Sequence, residues 1–290
     1  MKATVFLGGG RITSALVAGL RLAGYGRPIV VHDRHSNKLH ELKRQYAVIA
    51  EPDLSRAVES AHLLIIAVRP DSVRELLKEI HTYDIRGTTV VSLAAGIPLA
   101  TLRAALGRPV QWVRAMPSPV CRSRNGLTAL SFGRGFSPAA RAEVRALFAL
   151  VGTVVEIPEK QFDAFTVTFS STHGYHALAT LIEAAASHGL DRKTACLAAA
   201  HALCDGIASW RAGELSLEKL LQEAATPGGT AAAVIASLDS AGYRRMVEKG
   251  LRAGTRQARK NSKLAAERGS TADARRKTNL RVKSEFANIR

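Results

Sequence analysis

Cysteine is scarce in this chain of 290 residues, and its three cysteines are far apart. Cys121, Cys196 and Cys204 form no C-x-x-C pair, so neither a disulfide framework nor a cysteine zinc site is expected. No apolar run approaches the roughly 20 residues that cross a bilayer. Residues 1–10 lead into a strand and a glycine loop without a long apolar segment, so no secretory signal is predicted. These absences predict a cytoplasmic protein without a metal site or a membrane span.

Acidic residues are also few, with 24 Asp and Glu against 41 Lys and Arg and a net charge of +17. The excess is concentrated in residues 251–290, which hold twelve Lys and Arg against three acids. Little apolar periodicity accompanies these charges, which is typical of a solvated tail. No aromatic residues are interleaved with basic ones in a recognition motif, so nucleic acid is not expected as a partner. We predict a flexible basic tail over residues 265–290.

Short apolar runs alternate with helical patterns over about the first 155 residues. The runs are ATVFL, PIVVH, AHLLIIAV, TTVVSLAAG and VQWVRAMP. Continuous apolar strands between helices are typical of a parallel sheet that is covered on both faces. The sequence therefore predicts an α/β fold with an N-terminal Rossmann-like, doubly wound sheet over residues 1–158.

The pattern changes after Phe162, where strand signals stop and Ala- and Leu-rich helical stretches follow. Helices are predicted over residues 163–188, 191–210, 216–223 and 230–260, the last with a break near Gly242. The second is apolar almost all round, and a bundle this small cannot bury it alone. We therefore predict an all-α dimerisation domain over residues 159–264, forming a homodimer or a higher assembly of dimers.

The stretch FLGGGRIT places a glycine loop between the first strand and the first helix. Gly8 permits a tight turn, and Gly10 lacks the Cβ that would keep a pyrophosphate away from the helix N-terminus. Thr13 stands at the third glycine of the dinucleotide fingerprint, which predicts a slightly wider spacing between helix and sheet. The pattern indicates a dinucleotide site.

The end of the second strand, His32-Asp33-Arg34-His35-Ser36, carries both kinds of ribose determinant. An acid there usually bonds the 2′-hydroxyl of NAD, whereas an arginine usually pairs with the 2′-phosphate of NADP. Asp33 would repel the phosphate unless its carboxylate turned away, and Arg34, Ser36 and Lys38 would attract it. NADP(H) is favoured, with NAD(H) as the alternative.

Small residues follow three later strands, at the edge where a nicotinamide ring can lie. The predicted cofactor-binding residues are Gly8, Gly10, Arg11, Ile12, Asp33, Arg34, Ala67, Val68, Pro70, Ala94, Ala95, Gly96, Met116 and Pro117.

The motifs GGGRIT, AVRP, SLAAG, VRAMP and ATPGGT occur in this order. With them the chain resembles the pyrroline-5-carboxylate reductases over residues 3–264. The resemblance implies NAD(P)H-dependent reduction of a cyclic imine that carries a carboxylate, 1-pyrroline-5-carboxylate, to L-proline. It also implies a Rossmann domain followed by an interlocked helical dimerisation domain. TPGGT, with Glu223 three residues before its first threonine, is the most specific motif.

The same resemblance implies the substrate site. Thr226, Gly228, Gly229 and Thr230 match the segment that holds the substrate carboxylate. Residues 169–175 stand where the family has SGSGPAY, so Ser171, Thr172 and Tyr175 complete the predicted substrate-binding set.

The departures from the family pattern are equally informative. Ala231 stands where the family often has a threonine near the imine nitrogen, and Ser118 and Pro119 replace an asparagine and a threonine. Hydride adds best to a protonated C=N, so the site needs a proton donor. Histidine ionises near neutral pH.

We predict His173, Ser171 and Thr230 as the catalytic residues, with His173 in place of the lost hydroxyl. The alternative for His173 is a structural role at a helix kink. Cys121 lies in the loop after VRAMP, but nothing in the sequence positions a base beside it, so it is not predicted to be catalytic. Two other functions stay open: a related reductase for a different cyclic imine, and a non-catalytic dinucleotide-binding paralogue.

Overall fold

The chain divides into two compact units. The computed structural model describes residues 2–107, 109–213 and 215–263. Of the described residues, the first unit holds those up to Val167 together with residues 254–263, and the second holds those of Thr168–Ala253. The domain bounds predicted from the sequence stay a prediction, and the predicted tail over 265–290 lies outside the described residues.

The first unit is built on an eight-stranded sheet with the strand order β3-β2-β1-β4-β5-β6-β7-β8. All neighbouring strands are parallel except β6 and β7, which are antiparallel. The strands are β1 Ala3–Leu7, β2 Ile29–His32, β3 Ile49–Ala50, β4 Ala61–Ile66, β5 Thr89–Ser92, β6 Gln111–Pro117, β7 Gly126–Phe132 and β8 Gly152–Glu156. This arrangement confirms the predicted Rossmann-like fold.

Helices cover both faces of this sheet, as continuous apolar strands require. They are α1 Arg11–Leu22, α2 Ser36–Tyr46, α3 Leu54–Glu59, α4 Val73–Ile80, α5 Leu99–Leu106, α6 Pro138–Ala149 and α7 Glu159–Thr168. Because side chains alternate along a strand, Val5 and Leu7 enter one core cluster while Phe6, between them, enters the other. The carboxyl ends of the parallel strands are thereby held at one edge.

A buried arginine attaches α7 to the sheet. Arg114 of β6 is 2% exposed, and its guanidinium lies 2.8 Å from Asp163 and 3.5 Å from Glu159. It also stacks over the ring of Phe162, 4.3 Å from the centroid. Glu159 in turn accepts the backbone N–H of Leu99 at 2.6 Å. The start of α7 is therefore tied both to β6 and to the first residue of α5.

The second unit is helical, with α8 Thr172–Ser187, α9 Arg192–Ala212, α10 Leu217–Ala224 and α11 Thr230–Ser240. A further helix, α12, runs over residues 243–263, of which 243–253 belong to the second unit and 254–263 to the first. The predicted continuous helix over 163–188 is wrong, because the chain leaves helical geometry between Thr168 and Thr172.

Apolar side chains in the second unit are largely exposed. No described residue of α8, α10 or α11 is buried, and α9 buries only Ala195 and Ala199. The large exposed apolar side chains include Leu197, Ile207, Trp210, Leu217, Leu221, Val234 and Leu238. Such faces are typical of helices that complete their packing against another subunit. Within the described part of the chain, none of the helices is long and apolar enough to cross a bilayer.

The close packing of α1 gives a stability prediction. A methyl group on Gly19 would overlap the carbonyl oxygen of Cys121 and lie 2.9 Å from Val151. Replacing glycine by alanine in a helix normally stabilises by about 1 kcal/mol, but forced overpacking costs about 1–3 kcal/mol. We expect Gly19→Ala to lower the free energy of unfolding by about 1–2 kcal/mol, measured by denaturant titration. Gly26→Ala is the matched control, because nothing lies within 4 Å of its added methyl. A stabilised Gly19→Ala protein would contradict this packing.

Candidate functional site

A cavity of about 620 Å³ lies at the carboxyl ends of β1, β2 and β4. Ligands of open α/β sheets bind at this edge. Its walls come from the loop after β1, the turn into α2, the exit of β4 and one face of α4. The lining residues are Leu7, Gly8, Gly10, His32, Asp33, Arg34, His35, Lys38, Ala67, Val68, Arg69, Ser72, Leu76 and Glu79.

Gly8 makes the tight turn that the sequence predicts. Its φ is +114°, and a Cβ there would lie 2.8 Å from the carbonyl oxygen of Ala67. Its N–H donates to the His32 carbonyl at 2.7 Å. Thr13 is fully buried, and its hydroxyl donates to the Gly8 carbonyl at 2.6 Å. Thr13, which replaces the third glycine of the fingerprint, therefore holds the glycine loop in place through this hydrogen bond.

Gly10 leaves the start of α1 open. It is the N-cap residue, no side chain caps the helix, and nothing lies within 4 Å of the position that a Cβ would occupy. The first backbone N–H groups of a helix have no intrahelical partner and attract anions. Arg11, the first helical residue, is exposed and adds positive charge there. The residues present therefore fit a pyrophosphate.

Asp33 holds the glycine loop against the end of β2. Its Oδ2 accepts the Gly9 N–H at 2.8 Å and lies 3.4 Å from Lys38 Nζ. Its Oδ1 accepts the His35 N–H at 2.9 Å and lies 2.8 Å from His35 Nδ1. Burial alone raises the pKa of this carboxyl, but the hydrogen bonds from Gly9 and His35 outweigh burial and lower it to about 2. Asp33 is ionised at neutral pH, with both oxygens engaged by protein donors.

The cavity brings together six of the predicted cofactor-binding residues: Gly8, Gly10, Asp33, Arg34, Ala67 and Val68. Eight others lie off its lining: Arg11, Ile12, Pro70, Ala94, Ala95, Gly96, Met116 and Pro117. Gly96, with φ +77°, instead packs against α12, where a Cβ would lie 2.6 Å from the Ala258 carbonyl oxygen. The requirement for glycine at this position therefore has a packing component.

Sequence reasoning missed the wall of the cavity formed by α4 and the residues before it. Arg69, Ser72, Leu76 and Glu79 line it. Arg69 belongs to the AVRP stretch at a strand exit, although only its neighbours Ala67, Val68 and Pro70 were predicted to bind the cofactor. Leu76 has no sequence signal that distinguishes a cavity-lining position from a core position.

The structure argues against a reactive Cys121. The residue is fully buried in the short 3-10 helix Pro119–Ser123, and burial raises the pKa of its thiol to about 11. A protonated, inaccessible thiol is not a nucleophile. Ser118 precedes the same 3-10 helix. Its hydroxyl oxygen accepts the Leu127 N–H at 3.2 Å, so this side chain joins the two ends of the loop between β6 and β7.

In the second unit, the TPGGT segment forms a turn directly before α11. The Gly229 N–H donates to the Thr226 carbonyl at 2.9 Å, and Gly228 has φ +77°. Pro227 and Gly228 therefore occupy the central positions of a type II turn, where proline and glycine are preferred. Gly229 is the N-cap of α11, no side chain caps the helix, and Thr230 is its first residue. The first backbone N–H groups of α11 therefore follow the turn without a side-chain cap.

Residues 170–176, SSTHGYH, contain the start of helix α8. This position explains why polar residues occur inside an Ala- and Leu-rich stretch. The Ser170 hydroxyl donates to Thr172 Oγ1 at 3.0 Å, and the same oxygen accepts the Thr172 N–H at 3.3 Å. The His173 and Tyr175 N–H groups donate to the carbonyls of Ser170 and Ser171. Ser171, Thr172, His173 and Tyr175 are all exposed around the first turn of α8.

Two protein-family models match the chain. Residues 4–96 match the family described as NADP oxidoreductase, coenzyme F420-dependent, and residues 159–261 match pyrroline-5-carboxylate reductase dimerisation. Together with the Rossmann-like sheet and its glycine loop, these matches define a nicotinamide dinucleotide-dependent oxidoreductase. The dimerisation region supports formation of an oligomer.

Individual relatives identify the family. A pyrroline-5-carboxylate reductase of Mycobacterium tuberculosis is 30% identical over 279 residues, covering 87% of this chain and 94% of its own. One of Corynebacterium melassecola is 32% identical over 252 residues, covering 84% and 93%. The solved structure of a pyrroline-5-carboxylate reductase from Coxiella burnetii aligns with a TM-score of 0.80 at 26% identity, over 90% of this chain and 98% of that one. The chain belongs to the pyrroline-5-carboxylate reductase family, whose members are NAD(P)H-dependent oxidoreductases that act on a C=N bond.

The glycine loop gives a binding prediction. Gly10→Ala adds a methyl group where the protein leaves space, so the free energy of unfolding should be unchanged within about 0.5 kcal/mol. The methyl would keep the pyrophosphate away from the α1 N-terminus, so the Kd values of NADPH and NADH should both rise by at least about tenfold. Fluorescence titration of both cofactors measures this change. Unaltered Kd values would place the pyrophosphate elsewhere.

Proposed function

We propose that the protein reduces 1-pyrroline-5-carboxylate to L-proline, with NADPH as the favoured hydride donor, in a cytoplasmic homodimer or an assembly of such dimers. The observation that carries the proposal is the similarity to proteins of that name over more than four fifths of the chain. The retained TPGGT turn and glycine loop supply the two kinds of anion site that the reaction needs. The three unpaired cysteines are consistent with a reducing compartment.

The start of α11 is the proposed site of the substrate carboxylate. The turn through Gly228 and Gly229 leaves the first N–H groups of α11 without a side-chain cap, and a helix N-terminus favours a negative charge. The hydroxyl groups of Thr226 and Thr230 flank these groups in sequence. A carboxylate held there would be fixed by several charge-assisted hydrogen bonds.

Reduction of a C=N bond adds a hydride to carbon and a proton to nitrogen. The nicotinamide cofactor supplies the hydride, and a protein side chain must hold the proton near nitrogen. Ala231 lacks the hydroxyl that relatives often have, so we assign this role to His173. Ser171, two residues before it, and Thr230 are the other proposed catalytic residues. The exposure of His173 in the first turn of α8 supports the assignment.

The preference for NADP(H) rests on the hydrogen bonds that the Asp33 carboxylate already makes within the protein. A carboxylate that selects NAD must accept a hydrogen bond from the ribose 2′-hydroxyl. Both oxygens of Asp33 are already engaged by Gly9, His35 and Lys38. Arg34 and Lys38 line the same cavity and are suited to a 2′-phosphate.

The activity test measures NADPH oxidation by the purified protein with pyrroline-5-carboxylate, and then with NADH and with the six-membered homologue. We expect turnover of the five-membered imine, with a higher kcat/KM for NADPH than for NADH. Exclusive turnover of the six-membered imine would favour a reductase whose substrate has changed, as the substitutions at Ser118, Pro119 and Ala231 would allow. Cofactor binding without turnover of either imine would favour the non-catalytic alternative.

His173→Ala tests the proton donor. Loss of a general acid lowers kcat by about a hundredfold or more, so kcat of His173→Ala should fall by at least that factor. His188→Ala is the matched control, because His188 is exposed at the opposite end of α8, and its kcat should equal that of the wild type. Thermal unfolding of both variants checks the fold. An unchanged kcat in His173→Ala would leave His173 with a structural role.

A further inference from the structure

Arg34 lies on the wall of the cofactor cavity with two carboxylates beside it. Its Nη2 is 3.4 Å from Glu75 Oε2 and 3.4 Å from Glu79 Oε1. Both glutamates belong to α4, where residues four positions apart lie on the same side of a helix. Because both contacts use Nη2, the N–H groups of Nε and Nη1 lie outside these two ion pairs and can still donate to a ligand.

These contacts contribute charge more than orientation. Strong hydrogen bonds between a guanidinium and a carboxylate are about 2.7–2.9 Å long, and both contacts of Arg34 are longer. The side chains are also well exposed, with 58% for Arg34, 45% for Glu79 and 65% for Glu75. Exposed pairs of this kind hold a side chain in place only weakly. The charges of the two carboxylates nevertheless act on any ligand that reaches the guanidinium.

The charge balance at Arg34 differs from that at the other cations of the cavity. Among the described residues, Lys38 forms one ion pair, with Asp33, and Arg69 forms one, with Asp71. At Arg34, two negative charges stand against one positive charge. A 2′-phosphate bound there would be attracted by the guanidinium and repelled by both carboxylates. A 2′-hydroxyl carries no charge and would not be repelled.

The two glutamates are placed differently with respect to the cavity. Glu79 lines it together with Arg34, whereas Glu75, one helical turn earlier, does not. Repulsion between like charges falls with distance and with screening by solvent. The Glu79 carboxylate is therefore the one that a bound 2′-phosphate meets more directly.

We propose that Glu79 is a specificity-determining residue that opposes the binding of NADP(H). Its carboxylate offsets the charge of Arg34 and repels the 2′-phosphate, so the preference for NADPH over NADH is smaller than Arg34 and Lys38 alone would give. Specificity is often adjusted by such a repulsive contact with one of two competing ligands. The inference rests on the proposed binding of the cofactor ribose beside Arg34.

The test measures the Kd values of NADPH and NADH for the full-length protein by nucleotide fluorescence, without imine and at low salt. At about pH 8 the 2′-phosphate is mainly a dianion, and low salt limits the screening of exposed charges. Glu79→Gln keeps the size of the side chain and an oxygen that can accept from Arg34, but it removes the charge. The ratio Kd(NADH)/Kd(NADPH) should rise about three- to fivefold, the upper range for one exposed charge pair.

Two further variants show whether the effect is local. Glu75→Gln should also raise the ratio, but by a smaller factor, because Glu75 does not line the cavity. Glu59→Gln is the matched control. It removes an exposed glutamate at the end of α3, just before the start of β4, whereas the cavity lies at the opposite end of that strand. Its ratio should equal that of the wild type.

An unchanged ratio in Glu79→Gln would overturn the proposal. A lower ratio would also overturn it, because Glu79 would then orient Arg34 toward the phosphate. An equal rise in Glu59→Gln would attribute the effect to net charge and remove the role of Glu79. If Glu79→Gln does not fold, the comparison of Glu75→Gln with Glu59→Gln decides. Because no imine is present, failure of imine reduction does not affect this test, whereas failure to bind either cofactor would overturn both proposals.

Discussion

The approach of three strand ends at Gly8 is the constraint on which the cofactor cavity depends. The Gly8 N–H donates to the end of β2, and its α-carbon lies against the backbone that leaves β4, with no room for a Cβ. These contacts bring the exits of β1, β2 and β4 into one wall. The Asp33 carboxylate accepts the N–H of Gly9, the next residue of the loop, so an ionised side chain also holds the loop against the end of β2. The uncapped N-terminus of α1 comes directly after this loop, with Gly10 as its N-cap residue and among the residues that line the cavity.

The sheet that carries this edge is supported by a polar contact as well as by apolar packing. Arg114 is buried between two strands, yet its partners Asp163 and Glu159 belong to α7 and are partly exposed. A buried charge is costly unless it is paired, so α7 is required at this position to stabilise the arginine. Glu159 also caps the beginning of α5, and α5 follows the loop of Ala94, Ala95 and Gly96. The same ion pairs therefore restrain the helix that follows a predicted cofactor loop.

The sequence predicts the parts of this fold that repeat a simple pattern, and it fails where the pattern is interrupted. Buried parallel strands are continuous apolar runs, so β1, β2, β4, β5 and β6 were evident. Strand β7 was missed, because its sequence GLTALSF mixes polar and apolar residues instead of forming a continuous apolar run, and it pairs antiparallel to β6. Helix α6, which follows β7, was missed with it.

The break after Thr168 was missed for a related reason. Ala- and Leu-rich segments on both sides have the same helical periodicity, and only local hydrogen bonds of Ser170 separate the two helices. In the cavity, the glycine loop and Asp33 were recognisable from spacing alone. The wall formed by Leu76 and Glu79 could not be recognised from the sequence, because the same face of α4 contributes to both the core and the cavity.

The exposed apolar faces of the second unit connect assembly to catalysis. Thr230 begins α11 and His173 lies in the first turn of α8, and neither helix buries a residue in the described single chain. Isolated helices of such length are marginal in water, and most helical stability comes from packing of an apolar face. The family dimerisation region covers both helices. We therefore expect contacts with a second subunit to complete the packing of both helices and to fix the orientation of the proposed carboxylate and proton-donor groups. The Rossmann unit differs in that its strands and helices bury two apolar clusters within the single chain.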